Sequence, residues 1–244
     1  MKMSSRKDIH NSDIPILCQS CEARHKGICG ALEPQQLVEL ARHTRQVRHK
    51  PGEELIGDTE EVKSYANVIS GVVKLTKMLA DGRQQVIGLQ FAPDFLGRPF
   101  AEESRLSAEA ASGVNLCKIP RSALESMIKT SPELEHRLLM QTLKELDLAR
   151  DWMVTLGRKT ASEKVASFLY LIATHIDPTK DIEEMDSIKF DLPLTRVDIA
   201  DFLGLTVETI SRQLTKMRKD GVIEIENNRT FFVPSLERLE DRCG

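Results

Sequence analysis

Apolar and polar positions repeat with two different periods along the chain, and the change of period divides it. From about Val47 to Ile119 the pattern is that of strands. Val68-Ile-Ser-Gly-Val-Val-Lys-Leu-Thr-Lys77 alternates, Ala80-Asp-Gly-Arg83 interrupts as a hairpin turn, and Gln85-Val-Ile-Gly-Leu-Gln-Phe91 resumes the alternation. This predicts a small antiparallel barrel or sandwich of short strands. A short helix precedes it, over Pro34 to Thr44, and beyond Pro120 the period is helical. Pro120-Arg-Ser-Ala-Leu-Glu125 opens one helix. Ser131 followed by Pro132 is a cap with proline at the first helical position, and opens a longer helix running to about Gly157. Fully helical, that segment is roughly 40 Å long at 1.5 Å per residue. Along it Leu139, Thr142, Leu146, Ala149, Met153 and Leu156 recur at spacings of 3, 4, 3, 4 and 3, the seam of a two-helix contact. The same stripe could pack within its own domain; its surroundings favour a homodimer. Ala161 to His175 reads as another amphipathic helix, and Asp177 to Asp191 as an acidic loop.

The last part of the chain changes the picture from architecture to recognition. Thr195 with Asp198 three residues on is an analogue of a capping box, opening a short helix that ends at Gly204. Gly204-Leu-Thr206 fits the turn of a helix-turn-helix. In the helix that follows, to Lys219, Val207, Ile210, Leu214 and Met217 make one apolar stripe. Glu208, Ser211, Arg212 and Thr215 fall on the opposite face. These side chains can read base edges: Glu accepts from the cytosine amino group, Arg donates in pairs to guanine, and Ser contacts several bases. Gly221 ends the helix, and Val222 to Glu226, an Asn227-Asn228 turn and Thr230 to Val233 add a hairpin, so the domain is winged.

At 244 residues, 41% hydrophobic and 29% charged, the chain is an ordinary globular protein with material for real cores. The net charge of −3 argues against a generally basic coat, but Arg212, Lys216, Arg218 and Lys219 cluster locally, and locality is what groove docking requires. The longest apolar run, near Phe168 to Ala173, is too short for a bilayer, and the polar start has no secretory signal, so a cytoplasmic protein is expected. No Ser/His/Asp, paired-carboxylate or phosphate-loop constellation points to an enzyme. The organisation read from these patterns is a cysteine-bearing arm (1–31), a strand-rich sensor domain (32–130), a dimerisation helix (131–158) and a winged helix-turn-helix domain (159–244).

The arm carries Cys18-x2-Cys21-x7-Cys29, and a further thiol stands at Cys117. Three cysteines within twelve residues of a polar segment are poor packing material and point to metal. Zinc wants a fourth ligand, which His25 could supply. An iron–sulfur cluster wants four thiolates, and Cys117 could close that set. Taken alone, Cys117 is also an ordinary buried small hydrophobe of a strand. Cys243, next to the last residue, reads as a spare thiol.

A strand-rich domain, a long dimer helix and a winged helix-turn-helix in this order resemble the CRP/FNR family of bacterial transcription regulators. Gly204-Leu-Thr-Val-Glu-Thr-Ile-Ser-Arg212, the arm cysteines and Leu116-Cys-Lys-Ile-Pro120 are similar to its fumarate and nitrate reduction regulator branch, in the form found in alphaproteobacteria. The resemblance implies an α+β fold: a cyclic-nucleotide-binding-like β-roll (jelly roll), the dimer helix and the DNA-binding domain. It implies a 4Fe–4S cluster on Cys18, Cys21, Cys29 and Cys117 that oxygen converts to a 2Fe–2S form and then destroys. The intact cluster favours a dimer, in which Glu208, Ser211 and Arg212 read TTGAT-type half-sites of an inverted repeat in promoter DNA. The implied output is mainly activation of genes for low-oxygen growth, nitrogen fixation among them. Asp81-Gly82-Arg83 resembles a surface the family presents to RNA polymerase. Two departures matter. Around Phe95-Leu-Gly-Arg-Pro-Phe100 and Glu103-Ser-Arg-Leu-Ser-Ala108 the glutamate and the Arg-Ser order that cradle a cyclic phosphate are missing, so no cyclic nucleotide is expected. And Ala149 stands where an acidic residue on the seam would oppose dimerisation of the cluster-free form.

Overall fold

The computed structural model describes residues 14–19, 21–180 and 185–244. Along the chain come α1 (Ile16–Gln19), α2 (Glu22–His25), a 3-10 turn (Ile28–Ala31), α3 (Pro34–His43), β1 (Arg45–His49), β2 (Glu54–Ile56), β3 (Ser64–Ser70), β4 (Val73–Met78), β5 (Gln84–Gln90), β6 (Phe95–Leu96), β7 (Ser107–Ala110) and β8 (Val114–Pro120). Then follow α4 (Arg121–Thr130), α5 (Pro132–Arg158), α6 (Ala161–His175), β9 (Ile188–Asp191), α7 (Arg196–Leu203), α8 (Val207–Lys219), β10 (Glu224–Glu226), β11 (Thr230–Val233) and α9 (Leu236–Glu240). They form two compact units. One runs through Val73 and resumes at Gln90–Lys144; the other takes Lys74–Leu89 and Glu145–Gly244.

In the first unit a sheet runs in the order β1-β8-β3-β6, each neighbouring pair antiparallel. A separate pair joins β2 to β7. Strand β8 alternates as the sequence predicts: Val114 and Leu116 point inward, and Ile119 rejoins the core after Cys117 and Lys118. Behind it Tyr65, Phe95, Ile119, Leu124, Ile128 and Leu134 share one core with Ile28. Each such burial contributes about 1.5–3 kcal/mol. Gly97, at φ +143°, is required here, because a Cβ would fall 2.4 Å from the Tyr65 ring.

In the second unit α6 is apolar on most sides, with Val165, Phe168, Leu169 and Ile172 fully enclosed. Thr160 and Glu163 close its capping box, and Thr195 and Asp198 close that of α7. Helix α7 stops at Gly204 in the left-handed conformation, φ +61°. Asn227 and Asn228, both at positive φ, and Arg229 form the three-residue turn from β10 to β11, across which Glu226 pairs with Thr230.

Three expectations change. The described part of the arm is not merely polar: Ile28 is wholly buried, and Ile16–Gln19, Glu22–His25 and Ile28–Ala31 fold as short helical turns. The stretch read as an acidic loop contains β9, whose Ile188 and Phe190 are buried while Lys189 and Asp191 face out. It pairs with β11, making the wing three-stranded in the order β10-β11-β9. Residues 181–184 of that stretch lie outside the described residues. Finally, the Ser131 hydroxyl is buried with no hydrogen-bond partner. Its carbonyl, not its side chain, joins α5, by accepting from Glu135 N at 3.2 Å.

Candidate functional site

The four cysteines singled out above come from separate elements of the first unit. Cys18 lies in α1, Cys21 just ahead of α2, Cys29 in the 3-10 turn and Cys117 on β8; all are partly exposed free thiols. The Cys21–Cys29 stretch doubles back tightly. A Cβ on Gly30 would meet the Arg24 carbonyl oxygen at 2.8 Å, so only glycine follows Cys29 without displacing backbone.

Electrostatics tie the sulfurs together. Burial pushes the Cys29 thiol far up, and Cys117, Cys21 and Cys18 push in the same direction, against a hydrogen bond from Asn67. The Cys117 thiol is pushed up to about 11, mainly by burial and further by Cys21 and Cys18, with Thr44 opposing. Cys18 is raised by burial and by Cys21, partly offset by Arg24. Cys18, Cys29 and Cys117 thus sit, with Cys21 beside them, in a neighbourhood that resists ionisation of those three, an arrangement that suits a positively charged inorganic core supplying the missing counter-charge. Among the described residues, no three His, Cys, Asp or Glu side chains close to the distance a single metal ion needs. Four sulfur donors are the set an iron–sulfur cluster takes, whereas zinc on the arm would draw on His25. The His25 Nε2 atom is buried with no hydrogen-bond partner.

Two neighbours of this group carry no signal in the motif. Asn67, 1% exposed on β3, is the register partner of Cys117 and donates Nδ2 to the Cys29 sulfur at 3.4 Å. Arg137 on α5 donates Nη2 to the Lys26 carbonyl at 2.7 Å and Nε to that of Gly27 at 3.3 Å, inside the Cys21–Cys29 gap. A polar residue among the apolar ones in the middle of β3 was the one available hint of Asn67.

The second group of residues is on α8. Ile210, Leu214 and Met217 are buried, while Glu208, Ser211, Arg212 and Thr215 are exposed, as their spacing predicts. Thr206 caps the helix by accepting from Thr209 N at 3.2 Å. Its own backbone N–H, then the Thr206 hydroxyl, hold the Glu208 carboxyl below the usual range, so it stands ready as an acceptor. Ser211 spends its proton on the Val207 carbonyl, 2.9 Å away, leaving its lone pairs and Cβ face outward. Lys216 and Lys219 flank Arg212 along a shallow concavity ending at Asp220.

On α5, Leu139 (53%), Leu146 (44%) and Met153 (72%) are exposed, as is Ala149, whereas Leu156 is half-buried. The exposed apolar strip is wider than the heptad, taking in Met140, Leu143 and Val154. Asp81 and Arg83, at the tip of the β4–β5 turn, are exposed and pair with each other at 2.7 Å. None of the helices among the described residues is long and apolar enough to cross a membrane.

Residues 46–131 match the family model of the cyclic nucleotide-binding domain, and residues 163–242 that of the Crp-like helix-turn-helix domain. The chain is 53% identical over 236 residues to a probable transcriptional activator of Rhizobium leguminosarum bv. viciae, covering 97% of each. It is 38% identical to the transcriptional activator protein FnrL of Cereibacter sphaeroides, covering 93% of this chain and 92% of that one. Among solved structures it is similar to FixK2 from Bradyrhizobium japonicum, at a TM-score of 0.72 and 31% identity, covering 82% of this chain and 98% of that one.

Proposed function

The chain belongs to the Crp/FNR family of transcription regulators, and on that premise we propose that it is an oxygen-responsive activator controlled by a 4Fe–4S cluster. The family consists of regulators, not enzymes, and its helix-turn-helix binds DNA. One observation carries the finer reading: Cys117 on β8, Cys21 ahead of α2 and Cys18 on α1 all stand close enough to Cys29 in the 3-10 turn to add to the upward push that burial gives its thiol. Cys18, Cys21, Cys29 and Cys117 would hold the cluster, which when bound supplies an oxygen-labile centre. Asn67 orients the Cys29 sulfur, and Arg137 ties the intervening loop to α5. The exposed strip around Leu139, Leu146, Ala149, Met153 and Leu156 joins two copies of α5. A homodimer then presents two α8 helices to half-sites about one DNA turn apart. There Arg212 pairs with a guanine, Glu208 with the opposite cytosine, and Ser211 lies on a thymine edge. The exposed Asp81–Arg83 turn faces RNA polymerase, and the altered stretch after Phe95 takes no cyclic nucleotide.

Anaerobic purification tests this. A brown protein with about four irons and four labile sulfides, bleached by air, is expected. A colourless protein holding one zinc sinks the cluster, and so does unchanged anaerobic promoter switching in Cys117→Ser.

A further inference from the structure

The β4–β5 hairpin, residues 74–89, lies inside the stretch that matches the cyclic nucleotide-binding domain, yet it belongs to the same compact unit as the helix-turn-helix. It grips α7 at both ends. From β4, Lys74 Nζ meets Asp198 Oδ1 at 2.5 Å, across 124 residues of sequence, with side chains only 8% and 13% exposed. From β5, Gln85 donates Nε2 to the Phe202 carbonyl at 3.3 Å, in the last turn of α7. The Phe202 ring in turn lies 4.5 Å from that of Trp152 on α5 and 5.9 Å from that of Phe168 on α6.

The carboxylate of Asp198 is shared. Its Oδ2 accepts from Thr195 N at 3.1 Å and from Thr195 Oγ1 at 2.6 Å, closing the cap of α7, while Oδ1 is given to the hairpin. A helix cap needs one carboxylate oxygen and no lysine. A charged pair out of water is a costly way to gain stability, because an apolar pair of similar volume often does as well. What an ion pair supplies that an apolar contact does not is a fixed register between the two elements. Asp201, the other carboxylate beside this pair, has its pKa raised by burial and by Asp198, and Lys74 opposes.

We propose that the β4–β5 hairpin is a positioning element for DNA recognition: Lys74 and Gln85 hold the first helix of the helix-turn-helix at its two ends and so fix the angle at which α8 meets the groove. The proposal rests on α8 being the reading helix. It assigns Lys74 and Asp198 to geometry, not to contact with DNA, so their loss shows on a site whose two halves must be met at once and not on one half alone.

The test uses the full chain, prepared anaerobically, on three kinds of DNA: one half-site, the inverted repeat, and repeats with one base pair added to or removed from the spacer. Lys74→Met is expected to weaken binding to the inverted repeat about tenfold, with the discrimination between spacers reduced, and to leave half-site binding within about twofold. Gln85→Ala gives the same pattern at smaller amplitude, and Lys74→Arg restores most of the affinity. Because Lys74→Met leaves a buried carboxylate unpaired, Lys74→Met/Asp198→Asn, which removes both charges, is measured alongside and is expected to behave alike. Equal losses on half-site and repeat reduce the pair to a plain stabilising contact and overturn the proposal; so does unchanged spacer discrimination in the double variant. If Arg212→Ala leaves wild-type affinity intact, it is the reading of α8 that has failed, and that result is distinct from either of these.

Discussion

Asn67 donates its side-chain amide to the Cys29 sulfur at 3.4 Å while standing opposite Cys117 in the β3–β8 register. One buried side chain therefore touches one thiol and neighbours another. A hydrogen bond to a coordinating sulfur draws charge from it and steadies the ligand. Asn67→Ala should still take up iron but bleach faster in air, on the order of tenfold, the scale seen when such supporting partners are lost. The decay of the visible absorbance after mixing with air-saturated buffer measures it; a wild-type rate would mean the contact is idle.

Arg137 fastens the Lys26 and Gly27 carbonyls to α5. Removing a donor of this kind costs about 1.5–3 kcal/mol when the donor is charged. In Arg137→Ala the amides around residues 26–31 should exchange with solvent faster, and the melting temperature should fall by several degrees. Protection equal to wild type in that segment contradicts the clamp.

Glu125 gathers three donors on Oε1: the Tyr65 hydroxyl at 2.6 Å, Arg121 Nε at 2.9 Å and Phe100 N at 3.0 Å. Burial alone would raise its pKa, but the hydrogen bonds from Tyr65, Phe100 and Arg121 prevail and lower it. The same carboxylate pushes Tyr65 up, after burial. A carboxyl depressed in the folded state contributes fully above its unfolded value of about 4.3, and the contribution is lost as pH falls through the folded value. Glu125→Gln should therefore lower the denaturation midpoint at neutral pH and narrow its distance from wild type as pH drops below about 4. A gap independent of pH would assign the effect to packing alone.

Arg212 and Lys219 share one exposed face of α8 but should fail differently. Arg212→Ala should cost about 1–3 kcal/mol and relax the choice at the guanine position. Lys219→Ala should weaken all sequences alike and reduce the slope of log affinity against log salt by about 0.9. Titrations at several salt concentrations on matched and mutated repeats separate the two. Identical behaviour of both variants would place Arg212 on the backbone.

Ala149 is exposed on α5, with Asp147 close by and paired to Arg150 at 3.1 Å. With no charge at that seam position, the cluster-free protein should dimerise more readily than its Ala149→Asp variant. Sedimentation of both apo forms decides the matter, and a largely monomeric apo wild type would contradict the expectation.

The DNA-reading end was legible in the sequence because its signals are local. The cap at Thr195, the Gly204-Leu-Thr206 turn and a 3.6-residue stripe each depend on neighbours within a turn or two. Strand β9 escaped because four residues alternating among acidic ones give too short a period to distinguish from loop. The arm thiols announced themselves by spacing, yet Cys117 stood only as one that could close the set, since strand pairing brings it in from afar. Asn67 and Arg137 could not be placed beside the thiols for the same reason: their contacts span 38 and 110 residues, and no window on the chain contains both ends. Lys74 and Asp198 are separated further still.

Ile28, wholly enclosed, sits immediately before Cys29. The adjoining sulfur is thus moored by the hydrophobic interior and not by the motif it belongs to. Between this mooring and Cys21, Arg137 holds the Lys26 and Gly27 carbonyls, so the stretch is anchored by packing on one side and by a charged donor on the other.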